Sequence, residues 1–421
     1  MGAFVIRGCE IYLGGAFVPA ELEVRGGVVT ALGGGIVPGE GASVYNFKNC
    51  IVVPGLADVH VHLREPGFSY KETVASGTLA AARSGYSALC AMPNLSPVPE
   101  DAATLAQELE IIRRDAVIDV LPYGAITRGQ RGEQLADMSA MAPYVCGFSD
   151  DGRGVQSREL MRAAMLEAKR LGKPIAAHCE DNSLLRGGYI HAGEYAKAHG
   201  HRGICSESEW GPIARDIELL RETGCAYHVC HISTAESAAL IRSAKREGLD
   251  ITCETAPHYL LLSDSDLQED GRFKMNPPLR SERDRLALIE ALRDGTIDIL
   301  ATDHAPHSAE EKSRGLAGSA FGITGLETAF PLLWTGLVEP GIITRERLVE
   351  LMSTAPARRF GIESGIEPGG PATFAVFETE TTYRIDPERF ASKGRATPFA
   401  GREVRGRCVL NVVRGREVWR A

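Results

Sequence analysis

The sequence lacks the patterns that mark nucleic-acid-binding, membrane and exported proteins. It has no run rich in lysine and arginine, and its net charge of -9 with a pI near 5.7 disfavours binding to nucleic acids or anionic membranes. No apolar run approaches the length of a membrane span, and the first residues do not join a basic segment to a long apolar core. We therefore expect a soluble, unexported protein that acts on a small molecule.

The ten cysteines also lack a pattern, since they form neither CxxC pairs nor a compact framework. This scatter fits a reducing cytoplasm, in which most of them would be small core residues. Cys179 and Cys230 each adjoin a histidine in a predicted strand. Alternation along a strand turns neighbouring side chains to opposite faces, so we exclude both thiols from a metal site formed by those histidines.

The chain alternates between two kinds of pattern. Short alternating runs between glycine-rich turns predict small antiparallel strands in residues 1–50, and similar runs return in residues 365–421. Between them, residues 51–364 repeat an apolar strand, a polar tip and a helical segment. The predicted strands are 51–62, 88–94, 119–127, 144–150, 173–180, 226–233, 250–258 and 297–307. The predicted helices are 71–84, 102–114, 157–171, 209–222, 235–247 and 282–293.

Eight strands alternating with helices predict an α/β fold, a (β/α)₈ TIM-type barrel whose active site lies at the C-terminal ends of the strands. The two terminal segments, residues 1–50 and 365–421, are expected to form one small β-sandwich-like accessory domain beside the barrel. A doubly wound sheet is the alternative. No GxGxxG turn follows the first barrel strand, which disfavours it.

The polar tips of the predicted strands are rich in metal-ligand residues. The first strand, IVVPGLADVHVHLREPG, carries His60 and His62 on one face, and imidazole pairs of this kind bind zinc-like ions. Other strands end in the adjacent pair Asp150-Asp151, in His178, in His231 and in Asp303. Counting one of the adjacent aspartates, four histidines and two aspartates exceed what one tetrahedral ion needs, so the sequence predicts two metal ions.

Eight motifs in a fixed order carry a family resemblance that covers nearly the whole chain. They read DVHVHLREPG, AMPN, GFSDDG, AAHCED, CHIST, NPPLR, ATDHAPH and FGITGLETAFPLL. With these motifs the chain resembles the dihydroorotases of the amidohydrolase superfamily, in the class that has a bridging aspartate where others carry a carboxylated lysine. The fourth strand, YVCGFSDDG, contains no lysine, as that class requires.

The resemblance implies two Zn²⁺ ions per subunit. The implied ligands are His60 and His62 for one ion, His178 and His231 for the other, Asp151 as the bridge, and Asp303, which would also transfer the proton. Asp150 stays open as the bridge, because sequence barely separates adjacent aspartates.

The resemblance also implies a site for a ring that bears a carboxylate. Arg64 shares strand parity with the two histidines before it, and a guanidinium grips a carboxylate bidentately. The implied substrate-binding residues are His62, Arg64, Asn94, Asn276, His307 and the backbone of Phe321 and Gly322.

The activity implied is the reversible, zinc-dependent hydrolysis of (S)-dihydroorotate to N-carbamoyl-L-aspartate in pyrimidine (UMP) biosynthesis. Two alternatives remain: another cyclic amidase such as a hydantoinase or allantoinase, and a noncatalytic dihydroorotase-like subunit of an aspartate transcarbamoylase complex. The first conflicts with Arg64 in LREPG, and the second with the retention of every ligand position. For such barrels a homodimer is the usual expectation, and association with aspartate transcarbamoylase is compatible with activity.

Several histidines receive ordinary structural roles. His199 and His201 lie in a glycine-rich loop with no strand before it, and His228 and His304 have the wrong strand parity for the site. His258 is expected just behind the site. For the segment 308–320, a lid and a simple connector are both open.

Overall fold

The computed structural model describes residues 2–421, which fold into a parallel barrel and a separate antiparallel-rich sheet. The first part of the chain contains β1 (Phe4–Leu13), β2 (Ala16–Arg25), β3 (Val28–Gly33), β4 (Ser43–Asn46) and β5 (Cys50–Pro54). The last part contains β16 (Phe374–Glu378), β17 (Tyr383–Arg384), β18 (Glu403–Val404), β19 (Arg407–Val413) and β20 (Arg416–Arg420).

The middle of the chain alternates strands and helices as predicted. Its strands are β6 (Leu56–Val61), β7 (Tyr86–Ala91), β8 (Asp119–Ala125), β9 (Gly147–Ser149), β10 (Ile175–Ala177), β11 (Ile190–His191), β12 (Gly203–Ile204), β13 (Tyr227–Val229), β14 (Ile251–Thr255) and β15 (Ile299–Leu300). Its helices are α1 (Val74–Arg83), α2 (Ala102–Asp115), α3 (Met138–Met141), α4 (Arg158–Leu171), α5 (Asn182–Leu185), α6 (Glu194–His199), α7 (Glu207–Thr223), α8 (Ala235–Arg246), α9 (Pro257–Leu261), α10 (Glu282–Arg293), α11 (Ala309–Lys312), α12 (Gly315–Gly318), α13 (Ala329–Leu333), α14 (Arg345–Val349) and α15 (Ala355–Phe360).

Eight parallel strands form the barrel, in the order β6, β7, β8, β9, β10, β13, β14, β15. A parallel bridge between Val61 and His304 joins the two ends of this series, and the backbone N–H of His62 donates to the carbonyl of His304 at 2.9 Å. The predicted (β/α)₈ barrel is therefore confirmed. Parallel strands in such a barrel end at the same rim, which brings their C-terminal tips together.

Helix α4 shows how the outer layer forms from sequence. Ser157 caps its first turn, and Gly172 ends it in a left-handed conformation with φ of 66°. Its buried side chains recur at helical spacing, namely Met161, Ala164, Met165 and Ala168. One face of the helix therefore packs on the barrel while its charged residues face outward.

The accessory sheet draws strands from both ends of the chain, in the order β20, β19, β16, β5, β1, β2, β3. β4 pairs with the first part of β1 and β5 with its last part, and between them β1 shifts its register with β2, from Ile6 to Cys9. Side chains from these strands enclose an apolar core of their own, which includes Ile6, Leu22 and Val376. The β-rich accessory part is thus confirmed.

The single predicted strand 51–62 is wrong. The chain forms β5 in the accessory sheet, crosses at Gly55, and enters the barrel as β6. A Cβ at Gly55 would lie 2.3 Å from Ser87 Oγ, so the crossing needs glycine. The apolar run is continuous because both strands are buried, and hydrophobicity alone does not mark a change of sheet.

Candidate active site

A cavity of about 220 Å³ opens at the C-terminal rim of the barrel. Of the twelve residues predicted for the site, eleven line it: His62, Arg64, Asn94, Asp151, His178, His231, Asn276, Asp303, His307, Phe321 and Gly322. The twelfth, His60, is fully buried and contacts two of them. The fold therefore brings all twelve residues together.

One half of the cluster gathers around the tip of β6. His60 Nε2 lies 3.3 Å from Asp151 Oδ1 and 3.5 Å from Asp303 Oδ1. His62 Nε2 lies 3.1 Å from Asp303 Oδ1 and 3.5 Å from Asp151 Oδ2. Two imidazoles and two carboxylates thus converge on one small volume.

The other half gathers around β10 and β13. His178 Nδ1 lies 2.8 Å from His231 Nε2, and these two nitrogens lie 3.4 Å and 3.6 Å from Asp151 Oδ1. Asp151 therefore contacts the imidazoles of both halves.

The adjacent aspartates after β9 have different surroundings. Asp150 turns away from the cluster, because its carboxylate accepts the backbone N–H groups of Ile126 and Thr127 and the Thr127 hydroxyl. Asp151 turns toward the four histidines. This geometry favours Asp151 over Asp150 as a ligand shared by two ions.

The donor set of the cluster suits a divalent cation. His60 Nε2, His178 Nε2 and Asp151 Oδ1 are buried atoms without a hydrogen-bond partner within residues 2–421. Such atoms are costly unless something pairs with them. Two groups with metal-binding spacing occur here, namely His60 with His62 and Asp303, and His60 with Asp151 and His231. Nitrogen and carboxylate ligands of this kind favour zinc-like ions.

The carboxylates and imidazoles of the cluster favour each other's charged forms. Burial disfavours the charged ring of His60, but Glu254 and Asp151 outweigh it and raise the pKa of His60 well above its ordinary value. Burial likewise opposes ionisation of Asp151 and Asp303, but the neighbouring imidazoles, His60 first, hold the pKa of both carboxyls below its usual range. A divalent ion would stabilise the same ionised carboxylates.

A third group with metal-binding spacing lies beside the rim and contains His60, Cys230 and Glu254. It uses the other face of the His60 ring, whose Nδ1 lies 2.5 Å from Glu254 Oε1. Burial strongly raises the pKa of the Cys230 thiol, which keeps it protonated and a poor ligand. The exclusion of Cys230 therefore agrees with its environment.

Glu254 is the residue that the sequence reasoning missed. It lies in β14, is 1% exposed, and accepts from the backbone N–H of His231 at 3.2 Å. Its second oxygen lies 3.0 Å from His228 Nε2, so it links the ring of His60 to His228. Carboxylates in this position orient ligand histidines. A glutamate in the middle of a predicted barrel strand was the available signal, because glutamate is almost never fully buried unless it is paired.

Three residues of the rim hold strained backbone conformations. Arg64, His231 and Asp303 have φ values of 62°, 34° and 46°, a region that side chains other than glycine rarely adopt. Each stands beyond the end of its strand, where the chain turns to aim the side chain into the cavity. Strain of this kind concentrates at functional sites.

Arg64 reaches the cavity by a route different from the one predicted. It lies past the end of β6, so the strand-parity argument for it is wrong, and its left-handed backbone directs it instead. Its Nε donates to the carbonyl of Pro306 at 3.3 Å, and its Nη2 lies 3.3 Å from His307 Nε2. Nearby, Asn94 Oδ1 lies 2.8 Å from His62 Nδ1. A buried cation and polar groups thus stand beside the imidazole cluster.

The opposite wall of the cavity is formed by two loops. Asn276 donates from Nδ2 to Glu180 Oε1 at 2.9 Å, while its own Oδ1 is buried and unpartnered within the described chain. The Phe321 carbonyl lies 2.8 Å from His307 Nε2. Burial and the charge of Arg64 lower the pKa of His307 to about 3, so this imidazole is neutral at pH 7.

The remaining histidines stay outside the cavity lining. His228 and His304 pair with Glu254 and Glu72 behind the rim. The loop predicted around His199 is wrong, because His199 ends helix α6; it stacks, with His201, against Tyr195 of that helix. His258 is buried, and burial lowers its pKa to about 4. None of them belongs to the converging cluster.

Comparison of the sequence with known proteins gives one consistent family. A model of "Dihydro-orotase-like" proteins matches residues 49–237. The chain is 47% identical to the dihydroorotase of Bacillus caldolyticus, over 100% of this chain and 99% of the relative. It is also 47% identical to the dihydroorotase of Geobacillus kaustophilus (strain HTA426), with the same coverage.

Solved structures show the same architecture. The L-hydantoinase (dihydropyrimidinase) of Arthrobacter aurescens superposes with a TM-score of 0.88 at 25% identity, covering 100% of this chain and 96% of the other. A dihydropyrimidinase of Brevibacillus agri NCHU1002 gives a TM-score of 0.86 at 22% identity, with 99% and 95% covered. At that identity the second comparison shows the fold alone.

The barrel and the converging imidazole and carboxylate groups define an enzyme of the amidohydrolase superfamily, a hydrolase of cyclic amides with a small-molecule substrate. The full-length relatives narrow this class further, and the chain belongs to the dihydroorotase family. Within residues 2–421, no helix has the length and hydropathy needed to cross a membrane.

Proposed function

We propose that the protein is a dihydroorotase, which catalyses the reversible hydrolysis of the ring amide of (S)-dihydroorotate to N-carbamoyl-L-aspartate in pyrimidine biosynthesis. One observation carries the proposal: the buried guanidinium of Arg64 shares a 220 Å³ cavity with the imidazole and carboxylate cluster. A carboxylated ring needs a cation beside the reacting amide, whereas hydantoin and dihydrouracil have no carboxylate to pair with it.

The proposed cofactor is Zn²⁺, two ions per chain. His60 and His62 would hold one ion, His178 and His231 the other, and Asp151 would contact both. When bound, such an ion pair lowers the pKa of water and polarises the amide carbonyl. The unpartnered ligand atoms of the cluster support this assignment.

Asp303 is the proposed catalytic residue and also a ligand of the first ion. Its Oδ1 lies 3.1 Å from His62 Nε2, and the nearby imidazoles hold its pKa below the usual range, so it is ionised and able to accept a proton. We propose that it takes the proton of the attacking water and delivers it to the departing ring nitrogen.

The proposed substrate contacts divide between the two walls. Arg64, Asn94 and His307 would bind the ring carboxylate, with His62 at its edge. Asn276 and the backbone of Phe321 and Gly322 would bind the ring amides. The unpartnered Oδ1 of Asn276 supports this division, because it can accept a ring N–H.

We propose three segments for the chain: an accessory segment before Gly55, a catalytic barrel to residue 364, and an accessory segment from 365 to 421. The first boundary moves from residue 50 because β5 pairs with β1 and β16.

Ten free cysteines support a cytoplasmic location. A homodimer, and association with aspartate transcarbamoylase, stay predictions that light scattering with and without that enzyme would test.

The substrate assignment is tested by turnover on four rings. L-Dihydroorotate, dihydrouracil, hydantoin and allantoin are offered to the zinc-loaded protein, before and after chelation. We expect zinc-dependent turnover of dihydroorotate alone. The Arg64→Met variant should raise the KM for dihydroorotate about 100-fold, because it removes a charge-assisted contact. Arg113→Met, on the exposed face of α2 and outside the cavity lining, should leave it unchanged. Zinc-dependent turnover of hydantoin with none of dihydroorotate would overturn the assignment.

A further inference from the structure

Lys312, at the end of α11, is a buried lysine whose amine is held by backbone carbonyls. Its residue is 7% exposed. Its Nζ donates to the carbonyls of Lys274 at 3.0 Å, Ala320 at 2.7 Å and Gly322 at 2.7 Å. Three acceptors match the three N–H groups of an ammonium.

These three carbonyls belong to the two loops that form one wall of the cavity. Ala320 and Gly322 flank Phe321, and Lys274 precedes Asn276 by two residues. The loops also touch directly, since the Gly322 N–H donates to the Lys274 carbonyl at 3.1 Å. One amine therefore fastens both loops to each other and to α11.

The other side of the Gly322 backbone is equally confined. Gly322 has φ of 130°, and a Cβ there would lie 2.6 Å from the Ala305 carbonyl oxygen. The backbone consequently has no room to move toward Ala305 to compensate for a lost contact with Lys312. A change at Lys312 should instead let the Phe321–Gly322 backbone move outward, away from Asn276.

We infer that Lys312 is a positioning residue, whose ammonium sets the spacing between the Phe321–Gly322 backbone and Asn276 and so holds the substrate ring between them. The inference rests on the proposed function, because that function assigns the ring to these groups. Lys312 does not touch the ring, so its loss should weaken ring binding without removing any group from the proton transfer. The expected kinetic signature is a raised KM with a nearly unchanged kcat.

The charge of Lys312 adds a pH dependence. Burial and the charge of Lys274 lower its pKa to about 7, against the opposing influence of Asp270 and Glu311, and Lys312 in turn helps to lower the pKa of His307. Below about pH 7 the ammonium fills all three carbonyls. As the pH rises through 7 the neutral amine keeps two N–H groups, and one carbonyl loses its donor. The KM should therefore rise on the alkaline side.

The test is Lys312→Met in the zinc-loaded, full-length protein. We expect the KM for L-dihydroorotate to rise about 10-fold, while kcat and zinc content stay within about twofold of those of the unmodified protein. The KM of the variant should no longer rise at alkaline pH. Lys312→Arg keeps the charge but not the geometry that suits three carbonyls. Its KM should lie between those of the unmodified protein and Lys312→Met. Lys173→Met is the matched control. Lys173 precedes β10, at the opposite end of the barrel, and its amine donates to the carbonyl of Val145 at 2.6 Å.

A second measurement is independent of substrate. Hydrogen exchange of the amides in residues 320–324 should be faster in Lys312→Met than in the unmodified protein and the Lys173→Met control. An unchanged KM together with unchanged exchange would overturn the inference. If Lys312→Met does not fold, the pH dependence of the unmodified protein decides instead. A KM that stays constant from pH 6 to 9 would then overturn the inference. If the unmodified protein is inert on dihydroorotate, the proposed function fails, while exchange still decides whether Lys312 fastens the loops.

Discussion

At the rim of the barrel, left-handed backbone is held by Arg64, His231 and Asp303, whereas the first two hairpin turns of the accessory sheet use glycines such as Gly14 and Gly26 for the same purpose. Glycine adopts this conformation without a steric penalty, and other residues lose about 1 kcal/mol or more. The rim therefore accepts backbone strain at three residues whose side chains line the cavity, whereas in the sheet it occurs at Asn49 and Arg414, away from the cavity lining.

Buried polar groups differ in the same way. At the rim the unpartnered Nε2 of His60 lies 3.3 Å from the unpartnered Oδ1 of Asp151. In the part of the sheet that the structure describes, the unpartnered atoms, such as Asn411 Oδ1 and Trp419 Nε1, belong to no group with metal-binding spacing, and the core is apolar. A metal ion or substrate can bind only where several such polar atoms converge. The comparison teaches that the rim is arranged for a bound group and the sheet for stability.

The largest expected effect comes from Asp303→Asn. The amide keeps the shape of the side chain but cannot accept and deliver a proton, so kcat should fall about 10⁴-fold. Steady-state turnover of dihydroorotate measures this loss, with the melting temperature as the check on folding. Retention of a tenth of the normal kcat would show that another group transfers the proton.

The two aspartates after β9 offer a matched pair. In Asp151→Asn the ligand shared by both halves is lost, so zinc affinity should fall by at least about 100-fold and the bound zinc should drop below two per chain. Asp150→Asn should keep two zinc ions, because Asp150 binds only Ile126 and Thr127. Elemental analysis after gel filtration measures both. The reverse pattern would transfer the bridge to Asp150.

Leu22→Ala tests the sheet side of the comparison. Leu22 is fully buried in the accessory core, and such a truncation costs about 3 kcal/mol of unfolding free energy through lost burial and a cavity. Denaturant titration should show this loss, while kcat/KM stays unchanged at a temperature where the protein remains folded. A tenfold loss of kcat/KM would mean that the sheet also shapes the active site.

Glu254→Gln should have the smallest of these effects. The glutamine amide keeps one oxygen that can contact His60, but it lacks the negative charge that orients this ring. Zinc affinity should therefore fall about 10-fold to 100-fold. Competition with a fluorescent chelator measures the affinity. Glu108→Gln is the control, since Glu108 is also a buried glutamate but lies on helix α2, outside the cavity lining. Equal effects in both variants would indicate general destabilisation.

The sequence analysis predicted what depends on local pattern. His60 and His62 follow from a two-residue strand period, and the order of the eight strands follows from alternating strand and helix signals. The crossing at Gly55 was missed because a change of sheet leaves no mark in a continuous apolar run. Arg64 was placed at the site for a wrong reason, since its direction comes from a left-handed turn. Glu254 acts on His60, which is 194 residues away, and Lys312 joins nearby carbonyls to that of Lys274, 38 residues away, and neither contact leaves a local pattern.

The most direct test of the account is a zinc titration of the chelated protein that follows dihydroorotate hydrolysis and bound zinc together. If Asp151 joins two ions in one site, activity should reach its maximum as zinc approaches two equivalents per chain, and Asp151→Asn should not reach that maximum at any zinc concentration. Full activity at one equivalent, or full activity of Asp151→Asn at high zinc, would contradict the account.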